Sequence, residues 1–271
     1  MNERIEWEEL PEDLRRVVEA CTGTVVASKS VPSGFNCSTA LTLHTLRSGR
    51  LFFKGVRVDD GDGVAGLVRE ERVNGALGGI CPAVRHRFEV GGWSCLAFDH
   101  IDGRHVDYGP DTGDLPAVAH ALRRMNRLPA PGLPLPRLSE RLADHLRPGE
   151  ADHLAGTHLL HTDTNPHNVL IDREGHAHVI DWAMPVLGPA WVDVAYTGRW
   201  LMRFGQRLDD VARWLNGFTS WQEADPRAVE AFVDATCRQA AARVGERGSS
   251  VSNAQFRSLV DALGTRTPRR T

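Results

Sequence analysis

Two apolar runs on either side of a short turn, entered through an acid- and amide-bearing loop, constrain this chain more than any other stretch. The loop reads His161-Thr162-Asp163-Thr164-Asn165-Pro166-His167-Asn168 and leads straight into Val169-Leu170-Ile171. A polar turn follows, then a second run ending in Val179-Ile180-Asp181-Trp182. That pattern predicts a hairpin with Asn168 entering its first strand and Asp181 closing its second. The segment carries a carboxylate suited to orienting an attacking hydroxyl, and two hard oxygen ligands of the kind Mg²⁺ takes. Moving a phosphoryl group needs all three. Taken singly, each residue has a plainer alternative: Asp163 as the cap of its own turn, Asn168 as a turn residue, Asp181 as a strand-end acid.

The rest of the composition narrows the field. With 271 residues the chain can bury one large core or two modest ones. Hydrophobic content of 41% and charged content of 25% describe an ordinary globular protein. A net charge of −3 and a pI near 6.5 offer no basic field for nucleic acid. No stretch approaches the ~18 apolar residues of a membrane span. The charged start, Met1-Asn2-Glu3-Arg4, is unlike a secretory signal, so a cytoplasmic location is expected. The five cysteines are scattered and without a C-x-x-C pair, which reads as buried free thiols. Of 32 basic residues only Lys29 and Lys54 are lysine, so a lysine inside an apolar strand asks for a reason.

Along the chain, Leu10, Leu14, Val17 and Val18 recur at helical spacing with Pro11 in the first turn. Strand patterns follow at 23–31, 38–46 and 51–56, with Arg47-Ser48-Gly49-Arg50 as a hairpin turn. A helix is expected over 67–77, and a hairpin over 85–90 and 93–98 around Gly91-Gly92. After Asp99-His100-Ile101-Asp102-Gly103 helical patterns dominate: 115–128 with Asp114 as candidate cap, 138–146, 191–204, 208–215, 226–244 and 255–263.

Five strands and a helix, then a helical half holding H-x-D-x-x-x-x-N and Ile-Asp-Trp, resemble the aminoglycoside phosphotransferase and choline kinase family of small-molecule kinases. The resemblance runs from about Gly23 to Tyr196. It implies an α+β, two-lobed protein-kinase-like fold, with a five-stranded antiparallel sheet plus helix in an N-terminal nucleotide-binding lobe (1–102). A mainly helical C-terminal catalytic and substrate-binding lobe (103–271) would hold the catalytic hairpin. Asp163 would be the base, and Asn168 and Asp181 would hold Mg²⁺. Lys54 would contact the ATP phosphates, kept in place by Glu70, with Glu71 as the fallback partner. Gly34, Asn36 and Ser38 would form the phosphate-covering loop, although an ordinary turn fits them equally well. Asp99 and Ile101 would meet adenine, while His161 and Asp193 would support the loop.

Two departures stand out. Thr162 occupies the position where the family commonly has glycine, so either its backbone is αR or extended, or the loop is distorted and activity reduced. About a dozen residues separate Asp181 from Asp193, too few for a protein-kinase activation segment. The expected activity is therefore ATP- and Mg²⁺-dependent phosphorylation of a small-molecule hydroxyl. Acceptors to consider are an aminoglycoside-like antibiotic (with antibiotic resistance as one role), an amino alcohol, a sugar or another metabolite. The alternative is a catalytically degenerate kinase-like module that binds a nucleotide or ligand. A histidine-rich zinc site is a third reading, in which His176 and His178 share one strand face, but no zinc-ligand spacing is present.

Overall fold

The computed structural model describes residues 4–31, 37–129 and 132–264. They form two compact units, one of Met1–His105 with His167–Met184 and one of Val106–Pro166 with Pro185–Thr271.

In the first unit, helix α1 (Glu12–Thr22) starts directly after Pro11, whose missing N–H costs nothing there. Its Leu14 and Val18, one turn apart, join Trp7 and Leu10 in a core against the sheet. Strands β1 (Val25–Ser30), β2 (Thr39–Thr45), β3 (Gly49–Arg57), β4 (Val84–Val90) and β5 (Trp93–Asp99) make that sheet, ordered β1-β2-β3-β5-β4 and antiparallel throughout. Alternation along β3 sorts its side chains. Phe53 enters the core beneath α1, whereas Val56 lies on the opposite face with Leu96, Phe98 and Leu67. Lys54 shares that second face, opposite its cross-strand partner Leu96.

Helix α2 (Gly61–Asn74) begins well ahead of the expected Leu67 because Asp60 caps it, accepting Gly63 N–H at 2.9 Å. It stops at Asn74, short of the expected Leu77. The Asn74 side chain turns away to accept Val84 N–H and donate to the Pro82 carbonyl.

A second sheet in this unit has the order β6-β8-β9: β6 (Gly103–His105), β8 (Val169–Asp172) and β9 (Ala177–Val179). The hairpin therefore groups with the N-terminal residues through His105, since β6 pairs with β8. Gly103 is required at that pairing, because a Cβ would collide with the Ile171 carbonyl.

The second unit carries α3 (Leu115–Met125), α4 (Leu138–Arg141), α5 (Glu150–His153), α6 (Val192–Arg203), α7 (Leu208–Leu215), α8 (Thr219–Gln222) and α9 (Pro226–Gly264). Gly245, at φ 79°, breaks α9 in two and joins the helices expected at 226–244 and 255–263. Asp114 precedes α3 but makes no side-chain cap bond to it. Its carboxylate accepts Asp107 N–H at 2.9 Å and so closes the preceding loop. Gly198 lets α6 pack closely on Leu215 of α7. Strands β7 (His158–Leu160) and β10 (Val186–Gly188) pair antiparallel, with Gly156 backed onto Gly188.

All five cysteines are free; Cys21 is exposed, Cys37 is half-buried, and the other three are buried. The expectation of buried thiols thus fails at Cys21, near the end of α1. Burial pushes the Cys81 and Cys95 thiols up to about 12, so both stay protonated and unreactive.

Candidate active site

Within the first unit, Lys54 is almost fully buried, which no lysine tolerates without counter-charges. It has two. Its Nζ lies 2.5 Å from Glu70 Oε2 and 2.9 Å from Asp181 Oδ1. Burial alone would depress the ammonium's pKa, but the two carboxylates outweigh it and hold Lys54 charged. Glu70 is equally buried, and desolvation raises its carboxyl against the pull of Lys54. Its other oxygen accepts Trp182 N–H at 3.3 Å. Glu71, the fallback partner in the sequence, faces outward to Arg87.

Trp182 enters the sequence pattern only as the last residue of Ile-Asp-Trp, with no role of its own. The indole is buried and its Nε1 donates to the Val179 carbonyl at 2.9 Å, which pins the turn after β9. Arg69 of α2 donates to the Ala183 carbonyl at 2.9 Å, so the helix grips the same segment. Asp181 itself takes φ 63°, a conformation that Asp tolerates better than most residues. Asn168 lies across from it: Val169 pairs with Val179, and Ile180 N–H donates to the Asn168 carbonyl at 2.9 Å. The two residues expected to hold a metal thus stand at neighbouring strand ends.

In the second unit, the loop after β7 is organised by Asp193, the second residue of α6 and 2% exposed. One oxygen accepts His161 N–H at 2.8 Å and the other accepts Thr162 N–H at 2.7 Å. Burial raises the Asp193 carboxyl, opposed by His161 and those two donors. Thr162 takes φ 64°. Neither αR nor extended backbone is present, and the strain foreseen for a non-glycine residue is real. The His161 Nδ1 accepts Asp163 N–H at 3.2 Å. Asn165 donates to Asp163 Oδ1 at 2.9 Å. Beneath the loop, Tyr108 donates its hydroxyl to the Thr164 carbonyl at 3.0 Å, and Thr164 and Thr197 share a 2.8 Å hydroxyl bond. Arg141, also unforeseen, reaches Thr162 Oγ1 at 2.7 Å; an arginine in so arginine-rich a chain carries no sequence signal.

Of the remaining expected residues, Gly34 and Asn36 lie outside the described residues. Ser38 is tied to the central strand β3 through its N–H to the Gly55 carbonyl at 3.0 Å. Asp99 closes β5; its N–H donates to the Ala83 carbonyl and its carboxylate pairs with Arg85. His176 and His178 both turn onto Asp172, at 3.3 and 2.9 Å. Among the described residues no group of three or more His, Cys, Asp or Glu side chains is disposed to hold a metal.

Residues 151–232, which span Asp163, Asn168, Asp181 and Asp193, match the phosphotransferase enzyme family. No curated protein matches the chain by sequence. Among solved structures, a thermostable mutant of aminoglycoside phosphotransferase APH(4)-Ia is 14% identical with a TM-score of 0.63, over 93% of this chain and 100% of that one. Choline kinase LicA from Streptococcus pneumoniae is 9% identical with a TM-score of 0.60, over 94% and 92% of the two chains. The AMP-bound spectinomycin phosphotransferase APH(9)-Ia is 14% identical with a TM-score of 0.54, over 95% and 99%. Such low identities speak for the fold alone, and the family match covers less than a third of the chain. The chain thus shares a protein-kinase-like fold with these proteins, and its residues 151–232 are similar to the phosphotransferase enzyme family.

Proposed function

We propose that the protein transfers the γ-phosphoryl group of ATP, with Mg²⁺, to a hydroxyl of a small molecule. The buried Lys54–Glu70–Asp181 network is the observation that carries this reading. A charged lysine held between two carboxylates, one of them partly open to solvent, is costly as mere packing, and it makes sense as a phosphate site. Lys54 binds the α- and β-phosphates and Glu70 keeps it aimed. Ser38 covers the phosphates, and the backbone at Asp99 and Ile101 meets adenine.

Asn168 and Asp181 fit Mg²⁺: one amide and one carboxylate oxygen at adjacent strand ends suffice, since phosphate oxygens and water complete its shell. Held by these two residues, the ion would supply positive charge against the triphosphate. Asp163 orients the acceptor hydroxyl and takes its proton, and His161 and Asp193 hold the loop that carries it. The acceptor is an aminoglycoside-like antibiotic, an amino alcohol, a sugar or a related metabolite. A screen of such alcohols with ATP and Mg²⁺, read by a phosphate's mass gain on the product, tests the proposal. No product from any of them, alongside unaltered MgATP binding, would favour the degenerate module that the strained Thr162 also supports.

A further inference from the structure

We propose that Arg141 is a positioning residue for the Asp163 loop, needed because position 162 is a threonine held where the backbone favours glycine. The inference rests on the kinase reading for its effect on turnover, but its structural half stands alone.

At φ 64° a β-branched side chain crowds its own backbone, and the relaxed alternative is a negative φ. A return to negative φ would rotate the peptide joining Thr162 to Asp163. Two bonds fix the Thr162 backbone end: its N–H donates to Asp193, and its neighbour His161 donates to the same carboxylate. The side chain is fixed by two more. Its hydroxyl spends its one proton on the His161 carbonyl at 2.7 Å, and a lone pair accepts Arg141 Nη1 at 2.7 Å. Without the guanidinium, the bond to the His161 carbonyl is all that this set leaves to hold the threonine side chain against a backbone rotation.

Arg141 is well anchored for the task. It ends the short helix α4, whose Leu138 is fully buried. The strand-like contact of Arg137 with Leu187, and Leu187 N–H donating to the Pro136 carbonyl at 2.9 Å, tie α4 to β10. β10 pairs with β7, the strand that delivers His161 and Thr162. Gly188 permits this layering, because a Cβ there would stand 2.7 Å from Leu160 Cδ1 and 3.1 Å from Leu138 Cβ. The guanidinium and the loop it clamps thus hang from one small framework. Downstream, Asp163 N–H donates to His161 Nδ1 and Asn165 holds the Asp163 carboxylate, so its aim depends on the angles at residue 162.

A four-protein cycle tests this: wild type, Arg141→Met, Thr162→Gly and the double variant. In the wild-type background Arg141→Met should lower kcat by about 10- to 100-fold with the KM for ATP unchanged, the size expected for a slightly misplaced group. In the Thr162→Gly background the same change should cost less than about twofold, because glycine adopts the angle without a clamp. Thr162→Ser, which keeps the hydroxyl, should retain the dependence on Arg141. Thermal unfolding of the same proteins should show the same pattern, with Arg141→Met lowering the midpoint only when residue 162 carries a side chain. Equal losses in both backgrounds, or no loss in either, overturn the proposal. If the wild type transfers no phosphate to any acceptor, the kinase reading fails and the unfolding cycle alone decides the clamp. Should Arg141→Met not fold, Arg141→Lys takes its place in the cycle.

Discussion

Lys54 Nζ stands 2.9 Å from Asp181 Oδ1, joining the middle strand of the sheet to the end of a hairpin 127 residues further along the chain. Glu70 completes the pairing from α2. Lys54→Met would leave the Glu70 carboxylate buried without its cation. Breaking a buried pair from one side costs about 3–5 kcal/mol. Denaturant unfolding should show a loss of that order, together with loss of the MgATP-induced rise in thermal midpoint. The double variant Lys54→Met/Glu70→Leu should recover much of the stability and none of the nucleotide response.

Asp193→Ala removes the acceptor of two backbone N–H groups, one of them fully buried. Each orphaned donor costs about 1–3 kcal/mol. Unfolding free energy should fall by about 2–4 kcal/mol, and turnover should fall further than the KM for ATP rises. A turnover equal to wild type, measured below the unfolding transition, would remove the brace from the account.

The hairpin and the residues of its motif were legible because loop, strand and turn chemistry all agree over residues 161–182. The sheet was legible too, since residues 38–46 alternate and the hairpin turns carry Gly49 and Gly91-Gly92. What escaped was set by contacts far apart in sequence. The conformation of Thr162 depends on Asp193 and Arg141, neither of which is its neighbour in the chain. The start of α2 was hidden because Gly61-Asp62-Gly63 reads as loop until Asp60 is seen to cap it. The grouping of the hairpin with the N-terminal unit depends on β6, three residues too short to announce themselves as a strand. Trp182 is core, and its backbone N–H on Glu70 has no sequence signature.

Asp172 gives a pH signature separable from the site. Partial desolvation would raise its carboxyl, but bonds from the His178 ring and from the His176 backbone and ring outweigh that and hold it at about 2, below its usual value near 3.8. A carboxyl lowered on folding stabilises the protein above its unfolded pKa and ceases to do so as pH falls through the folded one. The stability gap between wild type and Asp172→Asn should therefore narrow as pH falls below about 4 and be largely gone near 2. Denaturant unfolding of both proteins at several pH values checks this. A gap that widens on acidification would contradict the assignment.

Gly156→Ala tests the framework beneath the loop. An added Cβ would overlap the Gly188 carbonyl carbon and the Pro189 nitrogen, both backbone atoms that cannot swing aside. Overpacking of this kind costs about 1–3 kcal/mol, more where backbone must shift. Thermal unfolding should register a midpoint several degrees lower, whereas alanine at Gly175, where a Cβ meets open space, should cost only the strain of its φ of 84°.

Asp163→Ala separates chemistry from binding. The carboxylate is exposed, held by Asn165, and its removal leaves the bonds from Asp193 to the loop in place. Stability should thus change by less than about 0.5 kcal/mol, as for other surface substitutions. Loss of a positioned general base should reduce phosphoryl transfer by about 10²–10⁴-fold. The MgATP-induced thermal shift should survive, since Lys54 and Asp181 are untouched. In Asp181→Ala the metal-dependent part of that shift should disappear instead. Thermal scans with ATP alone and with ATP plus Mg²⁺, run beside a turnover assay on both variants, distinguish the two roles. Unaltered turnover in Asp163→Ala would move the base elsewhere and leave the lysine site as a nucleotide-binding feature alone.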